Sequence, residues 1–385
     1  MRFDWRELAG AVADVGVLVP IAVALIVKNG LSPTAVLLPA GLLYLVAAFA
    51  YRLPVPVQPL KALGAIAIAK GLGADEIAAA ALIMGVIFVV IGQTGLIDLA
   101  SRAFPRVLIR GVQLTVGLLL LKIAWKLVTD PPKGFADYAV PAEWAIPLGA
   151  SVLLLALSLR RFPVALALVG VGAGVMVVLA AGKGSFGPSE IVTPSLHLHT
   201  FATAFTVLVV AQLPLTFANS CLATTDAART YFGAQARAVT PGRLATTLGV
   251  ANLFSGTISG MPVCHGAGGM TAHKAFGART GGAPLVMGVA LVALAVAAGS
   301  GLAAVLAAFP LPVLAGLLAT AGVLHIALLR DLRRWWEWAL ALLVGVLGFE
   351  LNLSIALGVG LALWWAVRAI LRLREALGRK AATLG

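Results

Sequence analysis

The chain has 385 residues, 61% of them apolar and 11% charged, with a formal net charge of +13, against roughly 45–50% apolar and 25% charged residues in soluble domains. So little polar surface cannot clothe a water-soluble globule of this size, which removes soluble enzymes and disordered scaffolds. The surplus of 28 basic over 15 acidic residues would suggest nucleic acid in a soluble protein; here the cations sit in short loops between apolar runs, so no nucleic-acid partner is expected.

What remains is an all-α polytopic membrane protein, because lipid supplies no hydrogen bonds and a barrel would alternate residue types instead of running unbroken apolar stretches. The opening Met1-Arg-Phe-Asp-Trp-Arg-Glu7 leads into a first span at 8–28. That apolar run is longer than a cleaved signal needs, so a retained helix is predicted. Proline, glycine and charge then mark spans at 33–50, 56–71, 75–95, 103–128, 143–159 and 162–181. Beyond an extracytoplasmic linker at 182–200 come 200–226, 241–256, 262–276, 281–299, 301–325, 335–349 and 351–372, with a cytoplasmic tail at 373–385. These are 14 transmembrane segments. Seven precede the linker and seven follow it, and an odd number flips the second copy, so 1–181 and 201–372 read as a 7+7 inverted repeat. With both termini cytoplasmic, the inside loops collect most of the basic residues, Arg102, Arg160 and Arg161 among them. Lys28, Lys70, Lys122, Lys126, Lys133 and Lys183 fall outside, and Lys61 alone stays within the membrane.

The segments 56–71 and 262–276 are shorter than the ~20 residues of a full crossing, as expected of two broken half-helices. Each opens on a proline, in Val55-Pro56-Val57-Gln58 and in Met261-Pro262-Val263-Cys264. Proline keeps its predecessor extended and sits without cost near a helix start. In the second, His265, Gly266, Ala267, Gly268 and Gly269 would let a ligand approach bare backbone amides. Two facing helix N-termini supply roughly one positive charge together, and Lys61 adds another, so a dianion would be neutralised and a cation repelled. The competing reading of these glycines is close helix packing. The run is neither a Rossmann fingerprint nor a P-loop.

Further along, Gln212, Asn219 and Asp226 recur every seven residues, drifting only about 20° per step around a helix. Such a stripe must face protein or a water-filled path; Gln212 and Asn219 become mid-membrane contacts, and Asp226 an ion-pair partner for Arg229. Asp14, about 10 Å beyond Glu7, is either a proton-coupling group or the partner of Lys61. His265 either donates to a bound oxyanion, titrates during transport, or is simply packed and hydrogen-bonded. With His197, His199 and His273 it makes no metal-ligand spacing, and no nucleophile elbow is present, so no metal, cofactor or enzymatic activity is expected. Cys221 and Cys264 read as small buried hydrophobes. The pairs Trp335-Trp336 and Trp364-Trp365 read as anchors at the membrane interface.

The stretches Pro54-Val-Pro-Val-Gln-Pro-Leu-Lys-Ala62 and Gly260-Met-Pro-Val-Cys-His-Gly-Ala-Gly-Gly-Met270, with Phe276-Gly-Ala-Arg-Thr-Gly281, resemble the signature motifs of the molybdate transporter family, a branch of the sulfate permease superfamily. The similarity extends to Glu7–Leu25 and Pro214–Phe232, although Asp14 sits in Val-Ala-Asp-Val-Gly where the family pattern has Gly-Asp-Leu-Gly. The resemblance implies core and gate domains, with the oxyanion held between spans three and ten, no C-terminal regulatory (STAS) domain, and a homodimer as a candidate assembly. It points to a secondary transporter, a symporter if Asp14 or His265 couples protons, that imports molybdate across the cell (inner) membrane. Sulfate or tungstate would be related ligands. A sulfate transporter of the same fold is the nearest alternative, then a nucleobase transporter, then a membrane enzyme or channel.

Overall fold

Apolar runs punctuated by proline and glycine become helices joined by short turns in the computed structural model, which describes residues 1–11, 14–97, 105–131, 133–158, 164–180, 182, 185–351 and 353–383. In chain order these are α1 (Trp5–Ala11), α2 (Val15–Val27), α3 (Pro33–Tyr51), β1 (Gln58–Pro59), α4 (Lys61–Lys70), α5 (Ala74–Thr94), α6 (Arg106–Thr129), α7 (Ala142–Ser158) and α8 (Val164–Leu179). There follow α9 (Leu198–Ala238), α10 (Pro241–Thr257), β2 (Val263–Cys264), α11 (Ala267–Ala275), α12 (Gly282–Ala297), α13 (Gly299–Leu306), α14 (Leu311–Ala327), α15 (Trp335–Glu350) and α16 (Leu353–Thr383). Arg102, Arg160, Arg161 and Lys183, placed above by loop charge, lie outside the described residues.

Five of these helices are long and apolar enough to cross a membrane: α3, α5, α6, α9 and the 21-residue stretch Leu311–Asp331. A sixth counts if α12 and α13, bent by 81°, form one span. The expected span 301–325 is therefore two elements. Pro310 caps α14 and Pro312 sits in its first turn, where proline starts a helix and does not continue one. Helix starts elsewhere obey the same chemistry. Ser32 precedes Pro33 at the head of α3, and Thr240, accepting from the Arg243 amide at 3.3 Å, precedes Pro241 at the head of α10. The expected linker is tied down. Ser189 Oγ lies 2.6 Å from Ser32 Oγ, the Ser189 amide donates to Thr34 Oγ1 at 2.8 Å, and the Gly187 amide donates to the Ala297 carbonyl at 2.9 Å.

Two groups of helices emerge. In one, α5 packs along α10 and α3 along α12; in the other, α6 packs against α14 and α15, and α14 against α7. Between helices in lipid no apolar surface is saved from water, so close backbone approach through small residues provides the attraction. A Cβ added to Gly92 would lie 2.8 Å from the Gly242 carbonyl oxygen, one on Gly288 2.9 Å from that of Gly41, and one on Gly117 2.8 Å from that of Gly322. The groups meet where α4 lies on α6 and α14 on α2.

Candidate functional site

The two interrupted segments meet. Extended backbone forced on each side by an X-Pro step is long enough for one antiparallel pairing, Gln58 opposite Cys264 and Pro59 opposite Val263. The Leu60 amide extends it, donating to the Pro262 carbonyl at 3.0 Å. Buried Asn252 of α10 clamps β2, donating to the Val263 carbonyl and accepting from its amide, both at 2.8 Å. The chain turns helical two residues after β1 and three after β2, and α4 has 10 residues and α11 has 9, about 15 and 13 Å of rise and near half of a ~30 Å hydrocarbon core. Both begin later than the expected 56 and 262, because the X-Pro steps spend those residues on the strands.

Antiparallel strands send the half-helices opposite ways. The end of α4 is fastened beside the end of α2, where Asn29 Nδ2 donates to the Ala67 and Leu72 carbonyls at 3.1 and 2.8 Å. The end of α11 lies by α1, where buried Glu7 accepts the amides of Arg279 and Thr280 at 2.8 and 2.9 Å and that of Ala283 at 3.2 Å. Glu7 thus caps the start of α12, which explains chemically why Phe276–Gly281 accompanies the N-terminal stretch.

At the junction, the amides of Lys61 and Ala62 on α4 and of Ala267, Gly268 and Gly269 on α11 meet no acceptor among the described residues. Lys61 Nζ donates to Gln58 Oε1 at 2.6 Å. Gln58 Nε2 donates in turn to Asp14 Oδ1, and Asp14 Oδ2 accepts from Tyr44 Oη at 2.7 Å and from His273 Nε2 at 2.8 Å. Asp14 does not pair with Lys61 as one of its two expected roles required; the Gln58 amide stands between them, and the ammonium meets no carboxylate among the described residues. Asn219 is half-buried, and its amide, which has no protein partner among the described residues, lies 3.2 Å from the Cβ position of Gly266.

The glycines divide by what surrounds them. A Cβ on Gly269 would lie 2.5 Å from both Asp14 Oδ1 and Gln58 Nε2, and one on Gly266 2.9 Å from Gln58 Oε1. At Gly268 nothing lies within 4 Å. Gly266 and Gly269 therefore permit close approach, as the packing reading requires, and Gly268 faces open space.

Three expectations change. Gln212 is not free for a ligand: its Oε1 accepts the Leu63 amide at 3.0 Å and its Nε2 donates to Thr216 Oγ1 at 2.9 Å, capping α4. Both ring nitrogens of fully buried His265 are engaged, Nδ1 donating to the Pro56 carbonyl at 2.9 Å and Nε2 lying 3.1 Å from Thr247 Oγ1. Of its three readings, the packed, hydrogen-bonded one describes this geometry. Asp226 and Arg229 are exposed and form no ion pair. The seven-residue stripe assumed a uniform α-helix, whereas α9 is π-helical over Ala204–Val209 and Thr216–Ala223 around Pro214, which changes the angle per residue. Tyr44, Asn252 and the partnership of His273 were missed; Tyr44 and Asn252 are each a lone polar residue in an apolar run, the one signal that could have marked them, whereas His273 sits between Thr271 and Lys274 and carried no such mark.

Solved structures share this fold. The transmembrane domain of a cyanobacterium bicarbonate transporter BicA aligns with a TM-score of 0.65 at 20% identity, covering 93% of this chain and 98% of that one. Murine Solute Carrier 26 family member A9, an anion transporter in its inward-facing state, aligns with a TM-score of 0.66 at 15% identity over 96% of this chain and 69% of that one. The shared fold and the apolar helices place the chain in the class of polytopic α-helical membrane proteins.

The family follows from sequence. Residues 6–120 and 204–324 match the family described as "Molybdate transporter of MFS superfamily", each matched half carrying one of the paired strands. Molybdate transporter 1 of Arabidopsis thaliana is 30% identical over 369 residues, 84% of this chain and 79% of that protein. Molybdate transporter 1 of Chlamydomonas reinhardtii is 27% identical over 473 residues, 94% and 91% of the two. The chain belongs to the molybdate transporter family.

Proposed function

We propose that the protein is a secondary active transporter that imports molybdate, bound as a tetrahedral dianion between the N-termini of α4 and α11. The observation that carries this reading is the β1–β2 pairing, which brings two sets of unused helix amides together beside an ammonium that, among the described residues, pairs with no carboxylate. Helix N-termini and a cation favour a doubly negative guest, and replacing its water shell demands many donors in a confined space. Lys61, Asn219 and the amides of Ala267 and Gly268 form the contact set. Gln58, Gln212 and His265 hold it in position. Asp14 with His273 is the candidate coupling pair.

The 14-span inverted repeat with cytoplasmic termini belongs to the same proposal. Exchanging the two halves maps the α3–α12 packing onto α10–α5 and the α6–α15 packing onto α14–α7, and the Ser32-Pro33 and Thr240-Pro241 caps onto each other. The half of the molecule holding α3, α5, α10 and α12 then acts as the moving core, and that holding α6, α14 and α15 as the gate.

Thermal unfolding of the purified full chain against molybdate, tungstate, sulfate and uracil tests the ligand, because binding to the native state raises its stability by mass action. Molybdate and tungstate are expected to raise the midpoint and uracil to leave it unchanged. Stabilisation by sulfate at lower concentration than molybdate would transfer the proposal to sulfate, and stabilisation by uracil alone would overturn it.

A further inference from the structure

Outside the junction, cations gather around the starts of α6 and α15 and the middle of α16. There Arg106, Arg333, Arg334, Arg368, Trp364 and Trp365 line a cleft of about 720 Å³. Its two carboxylates are already committed. Asp331 is bridged by Arg106 and Arg110, and Glu337 accepts the backbone amides of Arg333 and Arg334 at 2.9 and 3.0 Å, capping α15. Among the described residues, the guanidinium groups of Arg333, Arg334 and Arg368 meet no carboxylate. Two of them stack on indoles instead, Arg368 over Trp364 at 5.0 Å and Arg334 over Trp336 at 6.0 Å.

The surroundings are those of a bilayer interface. Trp335, Trp336, Trp338, Trp364 and Trp365 all belong to α15 and α16, out of 8 tryptophans in the chain, and indole rings settle at headgroup depth. The same helices expose Leu342, Val346 and Leu363, an apolar flank on which acyl chains can lie. Fork-shaped guanidinium groups suit phosphate oxygens, and basic clefts between spanning helices suit anionic headgroups.

We infer that this cleft binds the headgroup of an anionic phospholipid, with the three unpaired arginines on its phosphodiester and its acyl chains along α15 and α16. A lipid held there tethers these helices to the anionic leaflet. Free inorganic phosphate shares the charge but has no use for the apolar flank.

The full chain in nanodiscs is titrated with brominated phosphatidylglycerol or brominated phosphatidylcholine while tryptophan fluorescence is followed. Phosphatidylglycerol is expected to quench at a mole fraction at least tenfold lower, millimolar phosphate to leave the quenching unchanged, and R333Q/R334Q/R368Q to erase the preference while R333K/R334K/R368K keeps it. Equal quenching by the two lipids, an undiminished preference in the Gln variant, or displacement by phosphate overturns the inference. If the Gln variant fails to fold, the two-lipid comparison on the unaltered chain decides alone.

Discussion

The two half-helix starts meet at one junction with opposite chemistry. On α4 the first residue is Lys61, and side chains dominate: an ammonium, the Gln58 amide that orients it and a Gln212 cap on the Leu63 amide. On α11 the first residues are Ala267, Gly268 and Gly269, and what marks them is how little side chain they carry. In the proposed site one half-helix supplies charge and the other supplies room, as complementary walls of one junction.

That contrast can be tested most severely at Gly269. A methyl there meets Asp14 Oδ1 and Gln58 Nε2 at 2.5 Å, so Gly269→Ala should cost about 1–3 kcal/mol of stability through overpacking. It should also abolish ligand-induced stabilisation, as read by thermal unfolding with and without molybdate. A variant as stable and as responsive as the parent would show that the Asp14–Gln58 contact does not confine α11.

On the α4 side, Lys61→Gln should fold with little change, because the ammonium has a single protein partner, yet weaken molybdate binding roughly tenfold to a hundredfold, the worth of one hydrogen bond to a charged group. Isothermal titration measures it. Unchanged affinity would remove the lysine from the site.

Gly268→Ala separates room from packing. Nothing lies within 4 Å of its Cβ position, and alanine is about 0.5–1 kcal/mol better than glycine in a helix. The variant should therefore melt slightly higher without ligand and bind molybdate more weakly. A rise in melting temperature with full affinity would place the anion away from Gly268.

Much of this was legible beforehand because lipid leaves few choices. Apolar runs must be helices, short runs opening on X-Pro must be interrupted, and Pro56 and Pro262 announced both interruptions. The roles of the polar residues were less legible. Gln212 was read as a ligand contact, and His265 as an oxyanion donor, a titrating group or a packed histidine, because each is a polar group at membrane depth, but a buried polar group needs a partner of any kind, and the chain order does not say which. Gln212 found the Leu63 amide, 149 residues away, and His265 the Pro56 carbonyl, 209 away. The stripe through Asp226 failed for a different reason: π-helical turns around Pro214 changed the angle on which the spacing argument relied.

Composition and the placing of prolines and glycines settled the class of architecture, since the energy of burying backbone in hydrocarbon depends on local pattern alone. Which polar groups remained unspent at the junction depended on contacts between distant segments. Glycine-lined crossings and the β1–β2 pairing bring Asp14, Tyr44, Gln58 and His273 within hydrogen-bonding reach, and folding in three dimensions alone could assign those partners and leave Lys61 and Asn219 available.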